Sequence, residues 1–308
     1  MLTSKTLRGN WGTVLLPVNA DESFNYLRLS EEVDYLIGAK LDGLYTNGTA
    51  GEFHNQTEDE FDKIQSIIAD KCHTAGMPFQ IGAGHPCPII SLRRIERTVA
   101  LKPDAFQVIL PDWVILNEEE QILFLKKIAE TAGEIPIVLY NPPHAKHVLA
   151  SQEYEKIIKE IPQLIGIKVA GGDKDWYDVM RPLSSKISIF IPGHFLASGI
   201  KNKVARGAYS NVACLSPHGS QQWWELMQKN PDEALSIQTH ILEFFEECIV
   251  PYKNAGYSNP ALDKFLAAIG GWSDVGTRLR WPYKWIPADE IAPARKKAMK
   301  YLPDFFVT

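Results

Sequence analysis

The sequence predicts a (β/α)8 barrel followed by a helical C-terminal region. Short apolar runs alternate with amphipathic segments eight times within residues 1–217, and only helical patterns follow them. The apolar runs are mostly continuous, which is typical of parallel strands covered on both faces. No G-x-G-x-x-G motif follows the first run. A barrel is therefore favoured over an open dinucleotide-binding sheet.

The first four strand–helix units follow from this alternation. Residues 57–60, Thr-Glu-Asp-Glu, form a capping box that predicts a helix start, and Glu118, Glu119 and Glu120 suit the first turn of another helix. The predicted strands are 13–18, 43–46, 78–83 and 104–109, and the predicted helices are 24–37, 57–75, 89–100 and 117–132.

The second half repeats the pattern and then becomes helical. Its predicted strands are 135–140, 164–169, 187–191 and 211–214, and the helices between them are 151–160, 173–183 and 195–206. Further helices are predicted at 221–229, 231–249, 260–269 and 288–301. Since no long polar linker separates the two parts, we expect a barrel over 1–217 and a helical region over 218–308 packed on it.

Composition excludes several classes of function. The 308 residues carry a net charge of −5 with no basic stretch, which argues against nucleic acid as a partner. No apolar run approaches the length of a membrane span, and no signal segment opens the chain, so a cytoplasmic, membrane-free protein is expected. The four cysteines are scattered, which predicts reduced, packed thiols.

One lysine interrupts a buried strand. Lys168 lies between Ile167 and Val169, and the run ends in two glycines and Asp173. Two interpretations stand: its head reaches solvent or a carboxylate, or it projects into the barrel as an amine nucleophile. In the second case desolvation lowers its pKa and frees the amine to attack a carbonyl carbon.

Two neighbouring features fit the second interpretation. Tyr140 ends the preceding strand, so its phenol could transfer protons beside Lys168, although a core tyrosine is the common alternative. The loop Gly48-Thr49-Ala50-Gly51 offers backbone N–H groups to an anion, although a tight turn alone also explains its glycines.

Three histidines, His85, His144 and His194, follow strands and so fall at the mouth of the barrel. We expect one of them to line the pocket, and the sequence does not say which. No carboxylate or thiolate spacing supports a metal site, so none is predicted.

Taken together, these stretches resemble the family of dihydrodipicolinate synthase and N-acetylneuraminate lyase, which are class I pyruvate-type aldolases and related dehydratases. The resemblance covers the whole chain. Its motifs are Gly48-Thr49-Ala50-Gly51-Glu52, Tyr140-Asn141-x-Pro143, Gly166-Ile167-Lys168 with Gly172-Asp173, Gly193, and Arg280-Trp281-Pro282. It implies a (β/α)8 barrel with C-terminal helices, assembled as a homotetramer or homodimer.

The resemblance also implies roles for individual residues. Lys168 would form a Schiff base with a 2-oxo acid such as pyruvate, Tyr140 would shuttle protons, and Thr49 would relay them. The backbone of Thr49 and Ala50 would hold the carboxylate. The residues implied for substrate binding are Gly48, Ala50, Gly51, Gly193 and Val212. This chemistry needs no metal or other cofactor.

Three departures from the synthases argue against lysine biosynthesis. The second threonine of their anion loop is Ala50 here, and their interface tyrosine is matched by Trp113. The arginine that grips their second substrate is matched by Ala145, and Lys146 beside it offers only a partial substitute.

The leading hypothesis is therefore a lyase that cleaves or forms a 2-keto-3-deoxy sugar acid, with pyruvate and an aldehyde as partners. Dehydration of a similar acid through the same imine is the close alternative. The alternative from another functional class is a non-catalytic relative that binds 2-oxo acids. The joint presence of Lys168, Tyr140 and Thr49 argues against pure binding.

Overall fold

Eight parallel strands close into a barrel in chain order in the computed structural model, which describes residues 1–306. The strands are β1 (Gly9–Thr13), β2 (Gly43–Tyr45), β3 (Phe79–Gly82), β4 (Ala105–Ile109), β5 (Ile137–Tyr140), β6 (Leu164–Lys168), β7 (Ser188–Pro192) and β8 (Gly207–Ser210). Pairing of β1 with β8 completes the ring. The predicted (β/α)8 barrel is confirmed.

Helices separate the strands and continue after them. Within the barrel they are α1 (Tyr26–Gly38), α2 (Glu58–Ala75), α3 (Pro88–Thr98), α4 (Glu118–Ala132), α5 (Ser151–Glu160), α6 (Lys174–Ser184), α7 (Leu196–Lys201) and α8 (Asn211–Leu215). They are followed by α9 (Pro217–Lys229), α10 (Pro231–Cys248), α11 (Val250–Asn254), α12 (Asn259–Gly270) and α13 (Ile291–Tyr301). Thr57 and Glu60 form the predicted capping box of α2.

The first strand lies earlier than predicted. Residues 14–18 were expected in it, but β1 ends at Thr13, and Val14 begins the buried loop that follows. Trp11 explains the shift, because its indole fills the barrel interior beside Gly43, where a β-carbon would overlap the ring. Packing in the barrel therefore selects a glycine-rich strand that strand propensity does not favour.

The eighth strand was also misplaced. Residues 211–214 were predicted as a strand but form α8, whereas β8 covers Gly207–Ser210. Ser210 causes the change, because its hydroxyl accepts a hydrogen bond from the Ala213 N–H at 3.1 Å and caps the helix. The preceding helix is shorter than the expected 195–206. It ends at Lys201, and Lys203 adopts a left-handed conformation with φ of 57°.

The C-terminal helices cover one side of the barrel. Helix α10 packs on α7, α12 packs on α8, and α13 contacts both α10 and α12. The boundary at residue 217 falls at the start of α9, and the division into 1–217 and 218–308 stays a prediction. Within residues 1–306, no helix is both long and apolar enough to cross a membrane.

Candidate active site

A cavity of about 530 Å³ lies at the carboxyl ends of the strands, where a barrel of this type places its chemistry. Thr49, Tyr140 and Lys168 all line it. Its opposite wall comes from α10 and α12, through the side chains of Leu242, Phe245, Leu262, Asp263 and Leu266. Strand ends and C-terminal helices thus enclose one space.

Lys168 is the last residue of β6 and pairs in register with Tyr140 of β5. Its Nζ lies 4.1 Å from the centre of the Tyr140 ring and donates a hydrogen bond to the Tyr45 hydroxyl at 3.4 Å. Burial lowers the pKa of Lys168 to about 7, and the negative charge of Asp263 opposes part of that shift. A neutral amine is therefore accessible at neutral pH, as a nucleophile requires.

Tyr140 and Thr49 are joined directly. Their hydroxyls lie 3.2 Å apart, and either can be the donor. Burial raises the pKa of Tyr140, and the bond to Thr49 lowers it in part. The phenol is thus held protonated beside the lysine, with a second hydroxyl to exchange protons with.

The loop between β2 and α2 lies against the lysine. A β-carbon on Gly48 would lie 2.6 Å from the Tyr45 ring and 3.4 Å from Lys168 Nζ, so glycine is needed there. Ala50 lines the cavity, whereas Gly51 packs on the backbone of Asn47. Within residues 1–306, the N–H groups of Thr49 and Ala50 donate no hydrogen bond, which leaves two donors for an anion.

Four of the expected substrate-binding residues are not among those that line the cavity, namely Gly48, Gly51, Gly193 and Val212. Val212 lies fully buried in α8, and Asn211 beside it lines the cavity in its stead. The expectation for Val212 assumed a strand where Ser210 starts a helix. Gly193 opens the turn after β7, where a β-carbon would overlap the Ser210 hydroxyl, and its neighbours Pro192 and His194 line the cavity. Gly193 therefore permits the approach of β7 to β8.

Of the three histidines at strand ends, His194 lines this cavity. Burial lowers its pKa to about 4, so the ring is neutral at pH 7. Asn211 Oδ1 accepts from the His194 backbone N–H at 3.3 Å, so Nδ2 of the same amide donates to His194 Nδ1 at 2.8 Å. The ring proton therefore resides on Nε2, which makes His194 a hydrogen-bond donor.

His144 and His85 lie elsewhere. His144 lines a second, smaller cavity of about 110 Å³ together with Ala145, and Thr49 and Tyr140 lie in the wall of both cavities. His85 Nδ1 accepts from the backbone N–H of Cys87 at 2.9 Å. Trp113 is 82% exposed, and Lys146 Nζ donates to its carbonyl oxygen at 2.9 Å.

Among the cavity residues that the sequence did not predict are Tyr45, Tyr209 and Asp263. Tyr45 and Tyr209 place their rings 4.7 Å and 5.3 Å from Lys168 Nζ, and Tyr209 donates to Gln80 Oε1 at 2.7 Å. Asp263 enters from α12. Its signal was present in the sequence, because a carboxylate stands on the apolar stripe of that helix. Among residues 1–306, no group of three potential ligands from His, Cys, Asp and Glu could hold a metal ion.

The sequence model of the Dihydrodipicolinate synthetase family matches residues 6–299. The chain belongs to this family. The predicted membership is confirmed, and with it, at the level of the family, the prediction of a class I lyase.

Named relatives agree with this membership. The chain is 28% identical over 281 residues to a 4-hydroxy-tetrahydrodipicolinate synthase of Macrococcus caseolyticus, covering 88% of this chain and 89% of the relative. It superimposes with a TM-score of 0.82 on N-acetylneuraminate lyase from Fusobacterium nucleatum, at 20% identity, over 96% of this chain and 99% of that one. A pyruvate complex of the Fusobacterium lyase superimposes with a TM-score of 0.81, at 20% identity, over 96% and 97% of the two chains.

Proposed function

We propose that this family member is a Schiff-base lyase that cleaves or forms a 2-keto-3-deoxy sugar acid, with pyruvate and an aldehyde as the smaller partners. The observation that supports it most is the grouping of Lys168, Tyr140 and Thr49 around one cavity. An amine with a pKa of about 7 beside a buried phenol has the chemistry that an imine mechanism needs.

In the proposed reaction the Lys168 amine attacks C2 of the 2-oxo acid, and loss of water leaves an iminium. The C4 hydroxyl then gives its proton to the Tyr140 oxygen while the phenol passes its own proton through the Thr49 hydroxyl to water. The C3–C4 bond breaks, its electrons enter the iminium to give an enamine, and the aldehyde departs. Protonation at C3 and hydrolysis of the imine release pyruvate and restore the amine.

The substrate carboxylate is proposed to bind the loop at Gly48, Thr49, Ala50 and Gly51. Two N–H groups of this loop donate no hydrogen bond within residues 1–306, and Thr49 adds a hydroxyl. Small residues allow the carboxylate to approach the backbone closely.

A role in lysine biosynthesis is not proposed, despite the names of the curated relatives. Ala50 lacks the hydroxyl of a threonine, and Ala145 supplies no charge to a second carboxylate. His194 and Asn211 instead give the cavity neutral polar groups, which suit substrate hydroxyls.

Borohydride reduction in the presence of pyruvate tests the imine. Intact mass and peptide mapping should locate one pyruvate adduct on Lys168, and Lys168→Ala should form none. A matched lysine is Lys253, which lines the same cavity from α11. Adduct on Lys253 in place of Lys168, or no adduct at all, contradicts the proposal.

A screen of sugar-derived 2-oxo acids then tests the reaction. Release of pyruvate and an aldehyde from such an acid supports the lyase. Loss of water with the carbon chain intact identifies the dehydratase alternative. An imine with no turnover of any acid tested identifies a binding relative.

A further inference from the structure

One face of α12 is turned toward the cavity. Asn259, Leu262, Asp263 and Leu266 line it, and their spacing of three and four residues places them on one side of the helix. The adjacent Lys264 points away and forms a buried ion pair with Glu52. Asp263 is therefore the charged member of the cavity face.

The Asp263 carboxyl has no direct partner in the part of the chain described. It accepts no hydrogen bond from residues 1–306, and no ion pair links it to another residue of that range. Burial raises its pKa to about 7, and the positive charge of Lys168 opposes that shift. The side chain is half-buried because it lines the cavity. A carboxyl in such a place without a partner is costly to ionise and is typical of functional sites.

Lys168 is the basic group that Asp263 faces across the cavity. The other titratable side chains around the two come from β2, β5, β8, α8 and the turn after β7, and they are Tyr45, Tyr140, Tyr209, Cys214 and His194. Burial raises the pKa values of the tyrosines and of Cys214 and lowers that of His194, so these groups are neutral near pH 7. The charged residues farther out, at the rim, are Glu246 and Lys253.

We propose that Asp263 is a second acid–base group of this active site, which takes a proton from the Lys168 ammonium and returns it to the hydroxyl that leaves during imine formation. The inference rests on the proposed imine function and deepens it. Tyr140 and Thr49 remain the pair that serves the substrate hydroxyl.

The proton balance closes within the cavity. An ammonium and a carboxylate become an amine and a carboxylic acid. The amine adds to C2, and transfer of its proton to the new oxygen gives a carbinolamine. Asp263 then donates its proton to the carbinolamine hydroxyl, water leaves, and an iminium faces a carboxylate. The net charge of the pair is zero before and after each exchange.

The geometry favours a bridging water in the first proton transfer, from the Lys168 ammonium to the Asp263 carboxylate. No direct ion pair forms between Lys168 and Asp263, although both line one cavity of about 530 Å³ that has room for water. A water with two polar partners in such a space can pass a proton from the ammonium to the carboxylate.

The test is the pH dependence of pyruvate-imine formation, trapped by borohydride at timed intervals, in wild type and Asp263→Asn. Asparagine keeps the shape but cannot accept or donate this proton. We expect the maximal rate to fall about 100-fold, the usual scale of acid–base catalysis. We also expect the midpoint of the acidic limb to move to lower pH, because the carboxylate no longer favours the ammonium.

Glu243→Gln is the matched control, since Glu243 is an exposed acid on α10 that does not line the cavity. Its rate and midpoint should equal those of wild type. Asp263→Ala, which suits the interior of a helix, repeats the test if the asparagine variant does not fold.

A slower rate with an unmoved midpoint would mark Asp263 as merely structural and overturn the inference, as would an unchanged rate. Either result leaves the imine function intact, because wild type still forms the adduct. Absence of an adduct in wild type would instead defeat the proposed function itself.

Discussion

Glu52 and Lys264 form an ion pair of 2.5 Å between the loop after β2 and α12, and both side chains are excluded from solvent. Lys264 Nζ also donates to the carbonyl oxygen of Arg278 at 2.7 Å. Glu52 follows Gly51 directly, and Lys264 follows Asp263, so the pair fixes the distance between two walls of the cavity.

Removing one partner of this pair should destabilise the protein strongly. Lys264→Met leaves the Glu52 charge buried and unpaired, which costs about 3–5 kcal/mol. Urea denaturation followed by circular dichroism measures the loss. The double variant Glu52→Gln/Lys264→Met should recover most of the lost stability. If the double variant is no more stable than Lys264→Met, the unpaired Glu52 charge is not the cause of the loss.

The rate of imine formation should rise with pH through about 7. Lys168 has its pKa lowered to about 7 by burial, and only the neutral amine attacks, so the rate falls about tenfold per unit below that value and levels off above it. Because Asp263 titrates in the same range, the observed midpoint belongs to the pair. Adduct formation measured at constant ionic strength gives the profile, and a midpoint near the ordinary lysine value would contradict it.

Tyr140→Phe should spare pyruvate binding but slow turnover by about 100-fold or more, since it removes the group proposed to take the substrate proton. Thr49→Val should have a smaller effect in the same direction, because it removes only the 3.2 Å partner of that phenol. Thr49→Ser keeps the hydroxyl and serves as the control. An unchanged kcat in Tyr140→Phe would exclude this role.

Gly48→Ala should abolish the pyruvate adduct. The added methyl group would press on the Tyr45 ring at 2.6 Å and approach Lys168 Nζ at 3.4 Å, where the substrate is proposed to bind. Gly38→Ala is the matched control, because a β-carbon there meets nothing within 4 Å. Borohydride trapping with pyruvate on both variants tests this prediction. A normal amount of adduct in Gly48→Ala would show that the loop moves to make room for the methyl group.

We expect the protein to associate with copies of itself through the segment at Trp113. Trp113 and Val114 are 82% and 73% exposed, which is unusual for adjacent apolar residues at a free surface. Light scattering should give a mass above that of one chain, and Trp113→Glu should reduce it. Leu27→Glu, at another exposed apolar position, should not. A monomeric wild type would contradict the expectation.

The neighbouring positions of Lys168 and Tyr140 were predictable from the sequence because they follow from local patterns. Lys168 and Tyr140 each end an apolar run, and consecutive parallel strands place their ends side by side. Asp263 was not placed, because its position in the cavity depends on how α12 docks on α8, a contact between distant parts of the chain. Val212 was predicted in a strand but lies in α8, because a local interaction, the Ser210 cap, overrides a run of strand-like residues.

Because α12 builds one wall of the cavity, substitutions on that helix differ in their effect from substitutions in the sheet. Lys168 belongs to the sheet, where substitutions disturb neighbouring strands, whereas Asn259, Leu262 and Leu266 lie on one helix outside the sheet, with Leu262 and Leu266 buried at the cavity wall. Exchange of these three positions would change the shape of the cavity wall while Lys168 and Tyr140 stay in place. Directed libraries at these positions would thus change which small molecules the cavity accepts without touching the strands that carry Lys168 and Tyr140.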